Sequence, residues 1–109
     1  MMAPDDIRES VHQSDTDALR DAYEQSKSKE DGLRLAQHYT DKGWYNDAFD
    51  IYNSLRKAYP DNFTVHLEYG NLCVKMRHHE EAKKAFEKLT VLKPGRIEGW
   101  NNLGIVQYT

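Results

Sequence analysis

The 109-residue chain carries one cysteine, Cys73. That leaves no intramolecular disulfide framework and no zinc site built on a cysteine pair. Long apolar runs are missing too, and none approaches the roughly 20 residues a membrane-crossing helix needs. The opening Met-Met-Ala-Pro-Asp-Asp lacks the basic-then-apolar order of a secretory leader, so a cytoplasmic setting is expected. Nor is there a surplus of base. Lys and Arg number 15 against 18 Asp and Glu, a net charge of -3. This balance argues against a general binder of nucleic acid or of an acidic membrane. No glycine-rich phosphate loop is present. What remains is 39% hydrophobic and 30% charged, the composition of a small domain with a modest core and a solvated surface.

The informative feature is an internal repeat. Pro60 and Pro94 stand 34 residues apart. Stepping back from each in the same register pairs Leu55 with Leu89, Tyr52 with Phe86, Ala48 with Ala82 and Ala36 with Gly70. One more period leads from Gly70 to Gly104, with Trp100 and Leu103 just ahead. Self-similarity at a fixed period sets architecture before any local feature does.

Each unit reads as two helices. Leu35, Ala36 and Tyr39 share a helical face, and Ala48, Tyr52 and Leu55 form a stripe on the next helix. Between them Gly43 can adopt the left-handed conformation that closes a helix. Ser28 and Asp31 have capping-pair spacing, and Pro60-Asp61-Asn62 ends the second helix in a turn. A second unit is expected over about Thr64–Met76 and His79–Leu92, closed by Pro94-Gly95. Strand-like alternation of useful length is absent, so the fold is expected to be all-α. Ala36 or Gly70 would face Ala48 or Ala82 across the helix pair, with Tyr52 and Phe86 filling the space beyond.

At these positions the sequence resembles the tetratricopeptide repeat (TPR) family, whose 34-residue unit carries W-x2-L-G-x2-Y, A-x3-F and P. The first unit offers Leu35-Ala36-x2-Tyr39, Ala48-x3-Tyr52 and Pro60, with Gly32 in the tryptophan place. The second offers Tyr69-Gly70, Ala82-x3-Phe86 and Pro94, with His66 for tryptophan and Cys73 for tyrosine. A third begins Trp100-x2-Leu103-Gly104. The resemblance implies a right-handed helical-hairpin solenoid over residues 29–109, divided 29–62, 63–96 and a partial 97–109. Its first helices would line a concave groove for a protein or peptide segment. Carried over position by position, the groove would use Leu33, Gln37, Thr40 and Asp41, then Leu67, Asn71, Val74 and Lys75, then Asn101, Ile105 and Tyr108. Leu33 and Leu67 could equally complete packing between repeats. The places where chaperone-binding members hold a terminal carboxylate are occupied by Leu33, Gln37, Glu68, Glu98 and Asn102. Of these only Asn102 suits a carboxylate clamp.

The N-terminal segment 1–28 is acidic. Ser14 is placed to start a helix running to about Gln25, with Ala18, Leu19, Ala22 and Tyr23 as its apolar stripe. This helix is expected either to cap the first repeat or to be the remnant of an earlier one, and residues before Ile7 are expected to be disordered. At the other end, Trp100 and Leu103 keep a pattern that packs on a second helix. The chain is therefore expected to be part of a longer array, or else to self-associate through Trp100, Leu103 and Tyr108, for instance as a homodimer.

No constellation for chemistry emerges. His78-His79-Glu80 sits at a turn with neighbouring histidines pointing apart, not at metal-ligand spacing. His66 is expected to be a core histidine and Cys73 a buried, unreactive thiol. Asn62 is expected to act as a turn and cap. The leading expectation is a non-catalytic scaffold without cofactor or metal, binding a protein segment in its groove. The alternative is a self-assembly element.

Overall fold

The structure, a computed structural model, describes the backbone of residues 4–107 and the side chains of residues 15–105. Tyr108 lies outside the described residues. Six helices follow in order: α1 (Pro4–Ser26), α2 (Lys29–Asp41), α3 (Tyr45–Ala58), α4 (Phe63–Lys75), α5 (His79–Leu92) and α6 (Ile97–Gln107). Each packs chiefly on its sequence neighbours, which makes an elongated body of 55 × 32 × 18 Å. The all-α expectation is met, and the helix pairs α2–α3 and α4–α5 are the two repeated units.

The repeat is visible in individual hydrogen bonds. Ser28 caps α2 by accepting from the Asp31 amide at 3.1 Å, and Asn62, one period later, caps α4 by accepting from the Val65 amide at 3.0 Å. Both first helices then end in the same Schellman closure. Gly43 N–H donates to the Thr40 carbonyl and Trp44 N–H to the Tyr39 carbonyl, at 3.0 and 2.8 Å. Arg77 and His78 repeat this with Val74 and Cys73 at 3.0 and 2.8 Å. Such a closure requires a left-handed residue, and φ is 79° at Gly43 and 62° at Arg77. A side chain in that region costs about 1–2 kcal/mol, against about 0.5–1 kcal/mol of extra glycine entropy. Arg77→Gly is therefore expected to stabilise the fold by about 0.5–1 kcal/mol, read as a higher urea midpoint. An unchanged or lower midpoint would refute it.

The core is one continuous cluster containing Leu35, Ala36, Tyr52, Leu55, Val65, Leu72, Phe86 and Leu89. Its close contacts differ from expectation in one respect. A Cβ on Gly70 would meet the ring of Phe86, with Cε1 at 2.4 Å, and all three nearest atoms belong to that ring. Glycine here makes room for an aromatic ring lying directly on the helix backbone. Phe86 fills the close contact itself, not the space beyond it.

The N-terminal helix also needs correction. α1 runs unbroken from Pro4, so Ser14 lies inside it and starts nothing. Residues 4–6, expected to be disordered, form its first turn, and residues 1–3 lie outside the described ones. The stripe facing α2 is Thr16, Leu19 and Tyr23, whereas Ala18 is exposed. Thr16 is fully buried and its hydroxyl is hydrogen-bonded to His38 Nε2 at 2.8 Å. A buried threonine with a partner was not evident from an apolar periodicity.

Candidate functional site

Three hollows lie along the first helices, and they share walls. One of about 410 Å³ is bounded by Leu19 of α1, Leu33, Gln37 and Asp41 of α2 and Glu68 of α4. A narrower one of about 150 Å³ continues from Gln37 and Glu68 over Thr40, Tyr52 and Leu67 to Asn71 and Lys75. The third, about 330 Å³, runs from Asn71 and Lys75 past Val74 and Phe86 to Asn102 and Ile105 of α6. Together they make one trough crossing α2, α4 and α6.

Leu33, Gln37, Asp41, Thr40, Leu67, Asn71, Val74, Lys75 and Ile105 all line this trough. Asn101 does not; it points to solvent, and its neighbour Asn102 takes the place in the wall. Thr40 is largely buried, its hydroxyl donating to the Ala36 carbonyl at 2.8 Å, so it forms floor and offers little to a ligand. Leu33 and Leu67 serve two purposes, packing against the core while lining the trough.

The sequence marks Tyr52 as a packing residue alone and gives Glu68 no part beyond spoiling a clamp. The Tyr52 hydroxyl donates to Glu68 Oε2 at 3.0 Å. Burial first, and then the adjacent Glu68 charge, push the Tyr52 hydroxyl far above its ordinary titration range, so it stays protonated and keeps its proton for Glu68. Glu68 is thus held in the trough wall. Asp41 beside it accepts from Gln37 Nε2 at 2.9 Å. Among the described residues no lysine or arginine lies within ion-pair distance of either carboxylate, and Lys75 has no acidic partner. Where α2 meets α4 the trough carries Asp41 and Glu68 together with Arg34, and between α4 and α6 it is lined by Lys75 and the amides of Asn71 and Asn102. A signal for this existed: Glu68 sits one residue after Leu67 and three before Asn71, on the same helix.

The self-association candidates separate. Trp100 is 53% exposed, yet its indole N–H donates to the Pro94 carbonyl at 2.9 Å. Leu103 is partly buried against the core. Ile97 and Ile105 also expose much of their surface on α6.

Residues set aside earlier fall into place. His78 stands at the N-terminal boundary of α5 without a side-chain capping hydrogen bond, and His78 and His79 are both exposed. Among the described residues no three His, Cys, Asp or Glu side chains converge on one point. Cys73 is buried, and desolvation first of all pushes its thiol up to about 11, so the nucleophilic thiolate is scarce. Glu98 is held below the usual carboxylate range chiefly by its hydrogen bonds from Arg96, both at 3.1 Å. No helix among the described residues is long and apolar enough to cross a membrane.

Comparison with known proteins places this geometry. No family model matches the sequence, and no curated protein matches it either. Solved structures do. A tetratricopeptide repeat protein from Parabacteroides merdae ATCC 43184 superposes with a TM-score of 0.78 at 17% identity, over 94% of this chain and 41% of that one. The first TPR of Spaghetti (RPAP3), bound to the HSP90 peptide SRMEEVD, gives 0.79 at 16% identity, over 94% of this chain and 82% of that one. MamA AMB-1 gives 0.75 at 16% identity, over 94% and 56%. The chain thus spans well under two thirds of the Parabacteroides and MamA proteins.

The protein is an all-α helical-repeat solenoid, and its fold is the TPR fold.

Proposed function

We propose that the chain is a non-catalytic interaction scaffold whose trough across α2, α4 and α6 receives an extended segment of a partner protein. The observation that carries this reading is the continuity of the three hollows, combined with the unpaired charges along them. Leu19, Leu33, Leu67 and Val74 offer apolar area, which supplies affinity, while Asn71 and Asn102 can hydrogen-bond an extended backbone. Asp41 and Glu68 favour a basic side chain in the partner at one end, and Lys75 favours an acidic or carbonyl group at the other. The Spaghetti repeat is bound to an acidic peptide. In this chain Leu33, Gln37 and Glu68 offer that ligand's carboxylates no cation.

Selection from a displayed peptide library tests the reading. Selected peptides are expected to carry Lys or Arg, and the SRMEEVD peptide should bind at least about ten-fold more weakly, a difference of about 1.4 kcal/mol. Leu67→Asp combined with Asn71→Ala should abolish the selected binding while helicity is retained. Selection unaffected by these substitutions would refute the trough as the site.

A second reading rests on the exposed Trp100, Ile97 and Ile105 of α6, which support self-association through that helix. It predicts a mass that rises with concentration in sedimentation and returns to the monomer value on Trp100→Asp. A wild-type monomer at millimolar concentration would refute it.

A further inference from the structure

A separate cavity of about 450 Å³ opens on the other side of the molecule, between the second helices α3 and α5 with α4 beneath. Arg56 of α3, His66 and Tyr69 of α4, and Glu81, Lys84 and Lys88 of α5 line it. Cations outnumber acids three to one among these residues, although Lys88 also reaches Asp61 at 3.6 Å.

The chemistry of His66 follows from the repeat. One period on, Trp100 donates its indole N–H to the Pro94 carbonyl at 2.9 Å. His66 does the same toward the Pro60 carbonyl at 2.6 Å through Nε2. A carbonyl can only accept, so the proton is on Nε2, and in the neutral ring Nδ1 is an acceptor. Histidine in the tryptophan place therefore keeps the structural donor and adds a second polar atom that tryptophan does not have. The residue is 6% exposed, and Nδ1 has no partner. Arg56 offers the complement. Its guanidinium lies 4.5 Å over the Tyr69 ring and one terminal nitrogen donates to Asn53, yet its Nε donor is also buried without a partner. The two residues that carry these unpartnered buried atoms line the same cavity.

We propose that this cavity is a binding site for a phosphoryl group, held by Arg56, Lys84 and Lys88 and sharing a proton with His66 Nδ1. The ligand must offer several anionic oxygens to the cations and an acid–base partner to the imidazole. A carboxylate or sulfate has the negative charge but no proton to share near neutrality, whereas phosphate and its monoesters titrate in that range, monoesters at about 6. Glu81 sets a limit on the charge tolerated and favours the ligand that carries a proton. Burial chiefly, and then the Arg56 and Lys88 charges, hold the His66 ring below its ordinary titration range. A bound anion opposes the last two effects, so phosphoryl binding and protonation of His66 reinforce one another. The groups facing the ring are Arg56 from α3, Asp61 from the turn, and Lys88 from α5.

Titration of the whole chain with inorganic phosphate, sulfate, chloride and a phosphoserine heptapeptide, followed by amide chemical shifts, tests the proposal. Phosphate is expected to saturate and to move the His66, Tyr69 and Lys84 amides, binding about ten-fold more tightly than sulfate near neutral pH. Lowering the pH to about 5.5 should narrow that gap, because a protonated His66 donates to either anion. Lys84→Gln should weaken phosphate roughly five-fold with the thermal midpoint unchanged, and Lys57→Gln, outside the cavity, should not. If the phosphoserine peptide binds more tightly than inorganic phosphate, the group is carried on a partner chain; the reverse order makes it a free ion. Absence of saturation by about 20 mM, equal response to sulfate and phosphate, or equal loss in the two lysine variants would overturn the site. None of these outcomes depends on the trough, which lies on the other face.

Discussion

Replacing Phe86 by alanine is expected to cost about 3–5 kcal/mol, enough to unfold much of a marginally stable domain. The ring is 1% exposed and lies against the Gly70 backbone, joining α5 to α4. Removing it leaves a cavity bounded by helix backbone, which cannot collapse without moving α4. Gly70→Ala approaches the same contact from the other side. Its Cβ would press into the Phe86 ring, so the buried ring or the helix backbone must shift. Overpacking of that kind costs about 1–3 kcal/mol. A smaller partner should relieve it, so Gly70→Ala with Phe86→Leu is expected to be more stable than the sum of the single effects by about 0.5–3 kcal/mol. Chemical denaturation of the four proteins checks the cycle. Strict additivity would sink the contact as described.

The second large effect concerns the tryptophan place of the first unit. Introducing the tryptophan of the resembled repeat through Gly32→Trp would be expected, on sequence resemblance alone, to improve packing. The structure predicts the opposite. A Cβ at Gly32 already meets Leu55 Cδ2 at 2.7 Å and Tyr23 Cε1 at 2.9 Å, so α1 fills the space that an indole would occupy. Leu55 is buried and cannot yield, whereas Tyr23 stands on the terminal helix and can. The substitution is expected to cost at least about 1–3 kcal/mol and to displace α1 from α2. The thermal midpoint should fall, and protease should cut within α1 while α4 and α5 stay protected. Combining Gly32→Trp with Tyr23→Ala should recover part of the loss by vacating the site. A midpoint that rises on Gly32→Trp alone would overturn this account of α1.

How much of this was legible beforehand varies by element. The helices α2 to α6 could be placed within a residue or two, because the 34-residue period marked caps, closures and prolines together. Ser28 and Asn62, and Pro60 and Pro94, sit in matching registers, and each acts on backbone within a few residues of itself; Gly43 marked the first closure, whereas Arg77, which closes α4, carried no such mark. The start of α1 was not legible. A polar, acidic stretch carries no periodic signal, and Ser14 has the composition of a cap whether or not a helix already surrounds it.

For the trough, position within the repeat located Leu33, Gln37, Leu67, Asn71, Val74 and Lys75. It could not separate Asn101 from Asn102, since adjacent residues on a helix differ by about 100° and a small shift in how α6 docks decides which one enters the wall. Nor could it find the Tyr52–Glu68 bond, which joins side chains from α3 and α4.

The sequence by itself determined the all-α class, the two-helix unit, and the caps and turns. These follow from local propensity and from periodicity, both of which are short-range. Only the tertiary structure decided that Gly70 receives Phe86, that Tyr23 fills the place over Gly32, that Glu68 of α4 meets Tyr52 of α3, and that Arg56 and His66 line one cavity. Each of these depends on the distance between side chains from different helices. Interhelical packing sets such distances, and no spacing along the chain encodes them.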